Sequence, residues 1–209
     1  MARGKQSGRI GRSTKNNHLN MNFKPLSYFD LSTFPFADIF DGVENVWDVI
    51  PKIKEYTDGK IIQGKNCYIH PHTNIRENVI LGDNVNIGFS VELKNCIIMN
   101  NTHIAHINYV GDAIVGKDCN ISGGAMFANF RLDNKPVLVK AGEEKIDTGM
   151  LKFSAIVGDG TWVGVNSVLN PGTIIGKHSA VYPLVSVTGT HPEKSIIRQR
   201  IRIQIAKKK

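Results

Sequence analysis

Aliphatic side chains recur at every sixth position through two long parts of the chain. The first ladder drops one residue at two points and consists of Ile69, Ile75, Leu81, Ile87 and Leu93, then Ile98, Ile104 and Val110, then Val115, Ile121 and Phe127. The second ladder consists of Val157, Val163, Leu169, Ile175, Val181 and Val187. This period matches neither a helix nor a half-buried strand. It predicts an all-β fold, a parallel β-helix of hexapeptide repeats whose interior is filled by the stacked ladder.

The segment before the first ladder has a different pattern. Residues 22–36 alternate aromatic and turn residues, which predicts an extended lead-in. Asp41 and Glu44 fit a capping box, and they open a helical stripe of apolar residues that consists of Val43, Val46, Trp47, Ile50 and Ile53. Pro51 is predicted to kink or divide this helix, and Gly59 to end it. Because the first coil of a solenoid exposes its interior, we expect a short N-terminal helical cap over this open end.

The ladder is interrupted at residues 128–154 and ends at residue 188. The interruption predicts an excursion from one coil, the usual functional face of a repeat protein, and the alternation around Val137 and Val139 predicts a small hairpin within it. From Gly189 the tail is expected to leave the solenoid. The predicted organisation is a basic N-terminus at 1–21, the lead-in and cap at 22–59, the β-helix at 60–188 and a basic tail at 189–209.

Composition adds few constraints. The 209 residues and a 41% hydrophobic share suit one domain with appendages, and no apolar run approaches the length of a membrane span. Met1 to Asn20 lack the apolar core of a secretory signal and are predicted to stay unordered; the sequence leaves open whether the natural chain begins at Met21. Three isolated cysteines indicate small buried side chains in a reducing compartment, so we expect a cytoplasmic protein.

The formal net charge of +8 is concentrated at the two ends of the chain. Basic tails can bind nucleic acid. However, no aromatic residues are interleaved with these charges, which favours solvated ends, with part of the C-terminal charge facing an anionic ligand. Nucleic acid is therefore not an expected partner.

Three short motifs are more specific than the hexads. They are the segment from His106 to Ala113 (HINYVGDA), the string ANFRLDNK at 128–135, and the return LKFSAIVGDGTWVG at 151–164. With them, residues 76–187 resemble the acetyltransferase domain of the bifunctional enzyme that makes UDP-N-acetylglucosamine. The resemblance is greatest to the version in archaeal sugar-1-phosphate nucleotidylyltransferases.

This resemblance implies a left-handed β-helix that assembles as a homotrimer, with substrates bound between neighbouring prisms. It also implies transfer of an acetyl group from acetyl-CoA to the nitrogen of an amino-sugar 1-phosphate, either glucosamine 1-phosphate or galactosamine 1-phosphate. Transfer would be direct, within a ternary complex, since no cysteine is placed to form an acyl-enzyme.

The resemblance also implies roles for individual residues. His106 would be the general base that frees the amine for attack on the thioester, a role suited to the ordinary pKa of histidine. Glu92 would orient or charge-support its ring. Tyr109, Asn120 and Asn129 would position the sugar and the amine by hydrogen bonds.

Cationic residues would hold the sugar phosphate. Arg76 and Lys94 are predicted to emerge from neighbouring coils, where both can meet one phosphate. A further lysine of the excursion, either Lys135 or Lys152, would contact the phosphate as well. The insertion leaves the choice between these two open.

The chain departs from the family pattern around the expected coenzyme site. Val165 stands where a serine would help to hold the thioester oxygen, so an oxyanion hole would have to use backbone N–H groups, which Gly123 and Gly124 make accessible. Pro183 replaces a small residue. The arginine expected near the coenzyme phosphates is one of two in the tail, Arg198 or Arg200.

Other readings compete with this one. The four central histidines are His70, His72, His103 and His106, and the same fold can hold zinc between three histidines. The spacing of His103 and His106 puts these two on different faces or depths, so no metal is expected.

No Gly-rich phosphate-binding loop with its following Arg and Lys precedes residue 60, so this chain alone should not make a nucleotide sugar. Rival functions are acylation of another, nucleotide-linked amino sugar, and a non-catalytic trimeric scaffold that partners a separate nucleotidylyltransferase.

Overall fold

The computed structural model describes residues 22–200 and 202–208. The prediction that residues 1–20 stay unordered falls outside these ranges. Within them, the hexapeptide parallel β-helix is confirmed: short strands stack in parallel, coil upon coil, on three faces of a prism.

Each face collects one strand from successive coils. Face one contains β1 (Ile61–Gln63), β4 (Val79–Leu81), β13 (Ala155–Val157), β16 (Thr173–Ile175) and β19 (Thr190–His191). Face two, a seven-stranded sheet, contains β2 (Tyr68–Ile69), β5 (Asn86–Ile87), β7 (His103–Ile104), β9 (Asn120–Ile121), β14 (Trp162–Val163), β17 (Ala180–Val181) and β20 (Ile196–Ile197). Face three contains β3 (Asn74–Ile75), β10 (Met126–Phe127), β15 (Val168–Leu169) and β18 (Ser186–Val187). Two long strands, β6 (Glu92–Ile98) and β8 (Tyr109–Val115), bend from face three into face one and join them in an eleven-stranded sheet.

The predicted ladder forms the interior of the prism. All of its residues belong to one apolar cluster, and those from Leu81 onwards are buried. The register follows the sequence: Ile69 pairs with Ile87 in the next coil, and Ile87 with Ile104 in the coil after it. Each fully buried aliphatic side chain stabilises the fold by roughly 1.5–3 kcal/mol, so the repeat itself supplies the core.

Short polar residues turn the corner between faces one and two. Four of them have a positive φ and stack from coil to coil through side-chain hydrogen bonds, namely Asn66, Asn84, Asn101 and Asp118. Asn and Asp tolerate this left-handed conformation better than other side chains.

The two dropped residues of the ladder shorten the corner between faces three and one. There Asn95 and Asp112 have φ values of 45° and 50°, which lets β6 and β8 continue around the corner without a loop. In the following coil the same corner opens into the excursion, which leaves after Phe127 and returns at Ala155. The predicted hairpin is present as β11 (Leu138–Ala141) and β12 (Glu144–Asp147).

The N-terminal segment is less helical than predicted. It contains three 3-10 helices, Pro25–Ser27, Ala37–Phe40 and Val46–Lys52, and one short α-helix, α1 (Ile53–Thr57). The capping box joins Asn45 and Asp48, not Asp41 and Glu44. Pro51 lies at the end of the third 3-10 helix, because a proline suits this tighter geometry near a helix junction and not the interior of an α-helix.

The sequence predicts that this segment covers the open end of the β-helix, but the structure places it elsewhere. It lies along face one, where its aromatic residues pack against outward-pointing isoleucines of five coils: Ile80, Ile97, Ile114, Ile156 and Ile174. These isoleucines alternate with the inward ladder and stack in the same register. An outward apolar stripe must be covered, and the N-terminal segment covers it.

A buried carboxylate fastens the segment to the prism. The side chain of Asp159 accepts hydrogen bonds from the backbone N–H of Asp30, at 2.6 Å, and of Lys117, at 3.0 Å. Its own N–H donates to the carbonyl of Tyr28. The segment and the β-helix therefore form one packed unit.

The solenoid continues past the predicted boundary at residue 188. Strands β19 and β20 pair with β16 and β17 and extend faces one and two. The sequence did not reveal this because Thr190 and His191 replace aliphatic residues in the last coil. In the described part of the chain, no helix has the length and apolar character needed to cross a membrane.

Candidate active site

A buried carboxylate, Asp112, lies at the centre of the predicted acceptor site. It sits where β8 bends between faces three and one, and its side chain is only 6% exposed. Its Oδ1 accepts a hydrogen bond from Asn95 Nδ2 at 2.9 Å, and its Oδ2 accepts one from Asn129 Nδ2 at 2.6 Å. The ammonium of Lys94 is 4.0 Å from Oδ2. A buried carboxylate is stable only with such partners, so these groups hold one another in place.

Tyr109 belongs to the same network. Its hydroxyl accepts a hydrogen bond from Asn129 Nδ2 at 3.0 Å. The phenol lies across Gly111, where any larger residue would collide with the ring. Burial and the negative charges of Asp112 and Glu92 raise the pKa of Tyr109. The phenol therefore keeps its proton at neutral pH and is able to donate it in a hydrogen bond.

Two cations border this network on face three. The strand pairing places Arg76 beside Lys94 on the next coil, as predicted. Lys94 is largely buried and Arg76 is exposed. The guanidinium of Arg76 is 3.3 Å from Glu92 and 3.8 Å from Glu77.

Glu92 does not have the predicted contact with His106. Its carboxylate pairs with Arg76, and no hydrogen bond in the described part of the chain links it to the imidazole. The reason is geometric, because Glu92 points outward from face three whereas His106 lies at the corner before that face. Glu92 therefore orients Arg76 and not the proposed base.

His106 is exposed at the corner between faces two and three. Gly123 lies against its ring in the next coil: a Cβ added there would be 2.7 Å from His106 Nε2. The neighbouring Ile107 has a φ of 55° and is 56% exposed. A β-branched residue pays about 1–2 kcal/mol for this conformation, so the corner is strained.

The predicted coenzyme residues line this same corner. Gly123, Val165 and Pro183 succeed one another on consecutive coils after His106, at a spacing of about 4.8 Å per coil. The N–H of Gly124 donates to the carbonyl of His106, whereas that of Gly123 has no partner within the described residues. Among the described residues, one backbone donor beside the imidazole is therefore without a hydrogen-bond acceptor. Arg198 follows the last strand and is exposed.

Three predicted residues stand apart from this cluster within one chain. Asn120 lies on face two, between His103 and Trp162, and its amide contacts Ser122. Lys135 and Lys152 are exposed residues of the excursion. An isolated bridge pairs Lys152 with Phe130 and so brings its backbone close to Asn129.

Sequence reasoning missed Asp112 and Asn95. The signal was present: Asn95, Asp112 and Asn129 follow one another at the interval that separates stacked residues in these coils. At Asn95 and Asp112 the interval between ladder residues shortens from six to five. A shortened interval with Asn or Asp at the turn indicates a tight corner where side chains of neighbouring coils contact each other.

The remaining histidines do not form a metal site in the described residues, where no group of three or more His, Cys, Asp or Glu side chains is placed to hold an ion. His70 and His72 instead pack around Phe89, with ring centroids 5.3 and 5.6 Å away.

Two of the three cysteines are buried as predicted, and Cys67 is partly exposed. Burial raises the pKa of the Cys96 thiol strongly and that of Cys119 to about 12. Neither thiol is poised to act as a nucleophile.

The chain is similar to part of two bifunctional proteins of archaea. A bifunctional protein GlmU of Methanococcus aeolicus is 42% identical over 105 residues, which are 50% of this chain and 25% of that protein. The bifunctional sugar-1-phosphate nucleotidylyltransferase/acetyltransferase of Sulfurisphaera tokodaii is 37% identical over 120 residues, 57% of this chain and 28% of that protein. The chain thus spans less than a third of the length of these curated relatives. These matches confirm the family resemblance that the sequence motifs predict.

A solved structure supports the fold. AntD, an N-acyltransferase from Bacillus cereus in complex with dTDP and 3-hydroxybutyryl-CoA, superposes with a TM-score of 0.51 at 20% identity, over 68% of this chain and 79% of that one. At the level of families, residues 57–205, well over half of the chain, match the GMPPB C-terminal domain. The chain therefore belongs to the GMPPB C-terminal domain family.

Proposed function

We propose that this protein transfers the acetyl group of acetyl-CoA to the amine of an amino-sugar 1-phosphate. The preferred acceptor in this proposal is glucosamine 1-phosphate, and the alternative acceptor is galactosamine 1-phosphate. The observation that carries the proposal is the network around Asp112, which orders Tyr109 and Asn129 beside two phosphate-binding cations. The similarity to the GlmU proteins supports the same reaction.

The acceptor is held by its phosphate and by its sugar hydroxyls. Lys94 and Arg76 supply positive charge from adjacent coils, and a phosphate between them takes charge-assisted hydrogen bonds from both. Tyr109 and Asn129 present a hydroxyl and an amide whose orientations are held by Asp112. A preorganised set of this kind lowers the entropic cost of positioning the amine.

The transfer uses the corner at His106. The imidazole accepts a proton from the amine as the nitrogen attacks the thioester carbon and forms the N–C bond. The developing oxyanion takes a hydrogen bond from the free N–H of Gly123, which replaces the side-chain donor that Val165 cannot provide. The C–S bond then breaks, and His106 returns the proton to the departing sulfur. Acetyl-CoA is a co-substrate, laid along the corner formed by Gly123, Val165 and Pro183, with Arg198 near its phosphates.

We also propose that the active unit is a homotrimer. Large apolar side chains remain exposed around the His106 corner, namely Phe89, Ile107, Met126, Trp162 and Leu184. An apolar surface around a functional corner is typical of an interface. Such an assembly would bring Asn120 and an excursion lysine of one copy to the Asp112 network of another.

The test is release of free CoA thiol when the protein is mixed with acetyl-CoA and one of three acceptors: glucosamine 1-phosphate, galactosamine 1-phosphate or glucosamine. We expect release with a phosphosugar and little with the free sugar, because Arg76 and Lys94 have no phosphate to bind in the latter. No release with any acceptor, under conditions in which a bacterial homologue turns over, would overturn the proposal.

A further inference from the structure

The hairpin of the excursion has two different faces. Val139, Ala141 and Ile146 pack into the apolar layer that also holds the N-terminal segment. The alternate residues of the hairpin, Leu138, Lys140 and Lys145, turn to the other side and line a cleft of about 750 Å³ between the hairpin and the prism.

Lys140 and Lys145 lie directly opposite each other in this hairpin. Like charges at directly opposed positions of an antiparallel pair are destabilising, since the two side chains are neighbours. Neither lysine has an ion-pair partner among the described residues. The arrangement is unfavourable in the free protein and becomes favourable when an anion lies between the two ammonium groups.

The nearby charged side chains have other contacts, and none of them forms an ion pair with Lys140 or Lys145 in the described residues. Arg131 at the edge of the cleft is already bound to Asp133 through two hydrogen bonds, of 2.8 and 2.6 Å. Asp147, opposite Leu138, accepts a hydrogen bond from the N–H of Gly149. The acidic residues at the hairpin turn, Glu143 and Glu144, do not line the cleft.

The cleft is built on ordered elements. The hydroxyl of Thr190 donates to the carbonyl of Lys140, which ties the hairpin to face one of the prism. The stem of Lys140 passes over Gly189, where an added Cβ would be 3.5 Å from its Cδ. The rest of the lining is largely apolar and includes Phe130, which is 43% exposed, and Leu132, which is fully exposed.

We propose that this cleft binds a nucleoside phosphate, with its phosphates between Lys140 and Lys145 and its base against Phe130 and Leu132. Phosphate suits paired ammonium groups, and a planar base suits an exposed aromatic ring. Two sources share this chemistry: the adenosine end of a coenzyme A thioester and the nucleotide of a nucleotide-linked sugar. The cleft is separate from the Asp112 network. The coenzyme source rests on the proposed acetyl transfer, whereas the nucleotide-linked sugar does not.

The test uses the full chain and the variants Lys140→Gln, Lys145→Gln and Phe130→Ala, with Lys54→Gln as an exposed control outside the cleft. Adenosine 3′,5′-bisphosphate and UDP are the probes, and binding is followed by calorimetry and by the rise in Tm at saturating ligand. Tighter binding of the first probe assigns the site to the coenzyme, and tighter binding of UDP assigns it to a nucleotide-linked sugar.

We expect each lysine variant to weaken binding at least tenfold and the control to leave it unchanged. Without ligand, Lys145→Gln should unfold at a Tm no lower than that of the parent protein, because the repulsion is gone. Absence of binding to the parent protein, or binding that survives both lysine substitutions, would overturn the proposal. Loss of acetyl transfer with nucleotide binding intact would count against the proposed function alone.

Discussion

Among single residues, the candidate active site depends most on one buried charge, that of Asp112. Asp112 would be costly in the interior without partners, yet two amides and a lysine surround it. Removing its charge leaves Lys94 without compensation and frees Asn129 to rotate. In the proposed function the carboxylate is a positioning residue for the groups that would contact the acceptor.

Asp112→Asn tests this role. The substitution keeps the size of the side chain but replaces one acceptor by a donor, so Asn129 and Tyr109 lose their orientation. We expect Asp112→Asn to lower kcat/KM for glucosamine 1-phosphate about 10–100-fold. Lys94→Met should lower kcat/KM further, because loss of the phosphate-binding charge raises KM.

The matched control is Asp118→Asn. Asp118 also accepts a hydrogen bond from a stacked asparagine, Asn101, but it lies at the corner between faces one and two. If both substitutions reduced activity by the same factor, the effect would reflect the stability of the coils and not the network.

Gly123→Ala tests the space beside the proposed base. The added Cβ would be 2.7 Å from His106 Nε2, and the φ of Gly123 is not positive, so the backbone itself accepts alanine. We expect the imidazole to be displaced and kcat to fall on the order of 100-fold with little change in Tm, since a misplacement of about 1 Å has this effect.

Gly42→Ala should show the opposite behaviour. Nothing lies within 4 Å of an added Cβ there, but a φ of 69° makes alanine unfavourable, so the Tm should fall and turnover should stay unchanged. Full activity of Gly123→Ala would rule out the assigned position of the His106 ring.

At the scale of the element, the ladder was predictable and its outer neighbours were not. A buried position recurring every six residues is visible in any sequence, and all of its members were found inside the prism. The outward isoleucines, such as Ile97 and Ile114, were overlooked because a strand with both sides apolar gives no alternation. Because this outward apolar stripe was not recognised, the N-terminal segment was predicted to cover the end of the prism and not its side.

The candidate site was predictable only in part. His106 was predicted from the motif HINYVGDA, which also contains Asp112, but the role of Asp112 depends on contacts between stacked coils that the motif does not show. Chemical type alone did not distinguish it from other corner residues.

The pairing of Asp30 with Lys117 gives the N-terminal segment a pH dependence. The hydrogen bonds from Lys117 and Ser32 lower the pKa of Asp30 below its usual value. A lowered carboxyl pKa contributes stability above the unfolded-state pKa of about 3.9, and this contribution is lost as the pH falls through the folded-state pKa.

We therefore expect Asp30→Asn to have a lower Tm than the parent protein at pH 7 and the same Tm in strong acid. Thermal unfolding at several pH values measures the difference. A constant difference across the whole range would show that the hydrogen bonds of Asp30, and not its charge, hold the segment.

In the whole molecule, the described N-terminal segment from residue 22 onwards packs on face one and, among the described residues, does not cover the other two faces. The exposed apolar residues surround the corner that these two faces share, and Ile107 is both exposed and strained there. The same corner has a positive φ in the neighbouring coils, at Ser90, Gly124, Asn166 and Leu184, so the exposed apolar side chain of Ile107 is what indicates a contact surface. In the proposed trimer this side chain contacts a second copy.

Ile107→Asn tests the trimer. Asparagine tolerates the positive φ, so the fold of each chain should be unharmed while the apolar contact is lost. We expect light scattering to give the mass of a trimer for the parent protein and a shift toward the monomer for the variant, with activity falling in parallel. Ile203→Asn, at an exposed position in the tail, should stay trimeric. A parent protein that is monomeric and active would contradict this assembly.

The most direct test of the central claim compares the parent protein with His106→Gln. Both are mixed with acetyl-CoA and, in separate reactions, with glucosamine 1-phosphate or galactosamine 1-phosphate, and formation of the N-acetylated sugar phosphate is followed by NMR. The account predicts product with the parent protein and a rate lower by about 100-fold or more with the variant, at an unchanged Tm. Equal rates, or no product from the parent protein with either phosphosugar, would contradict it.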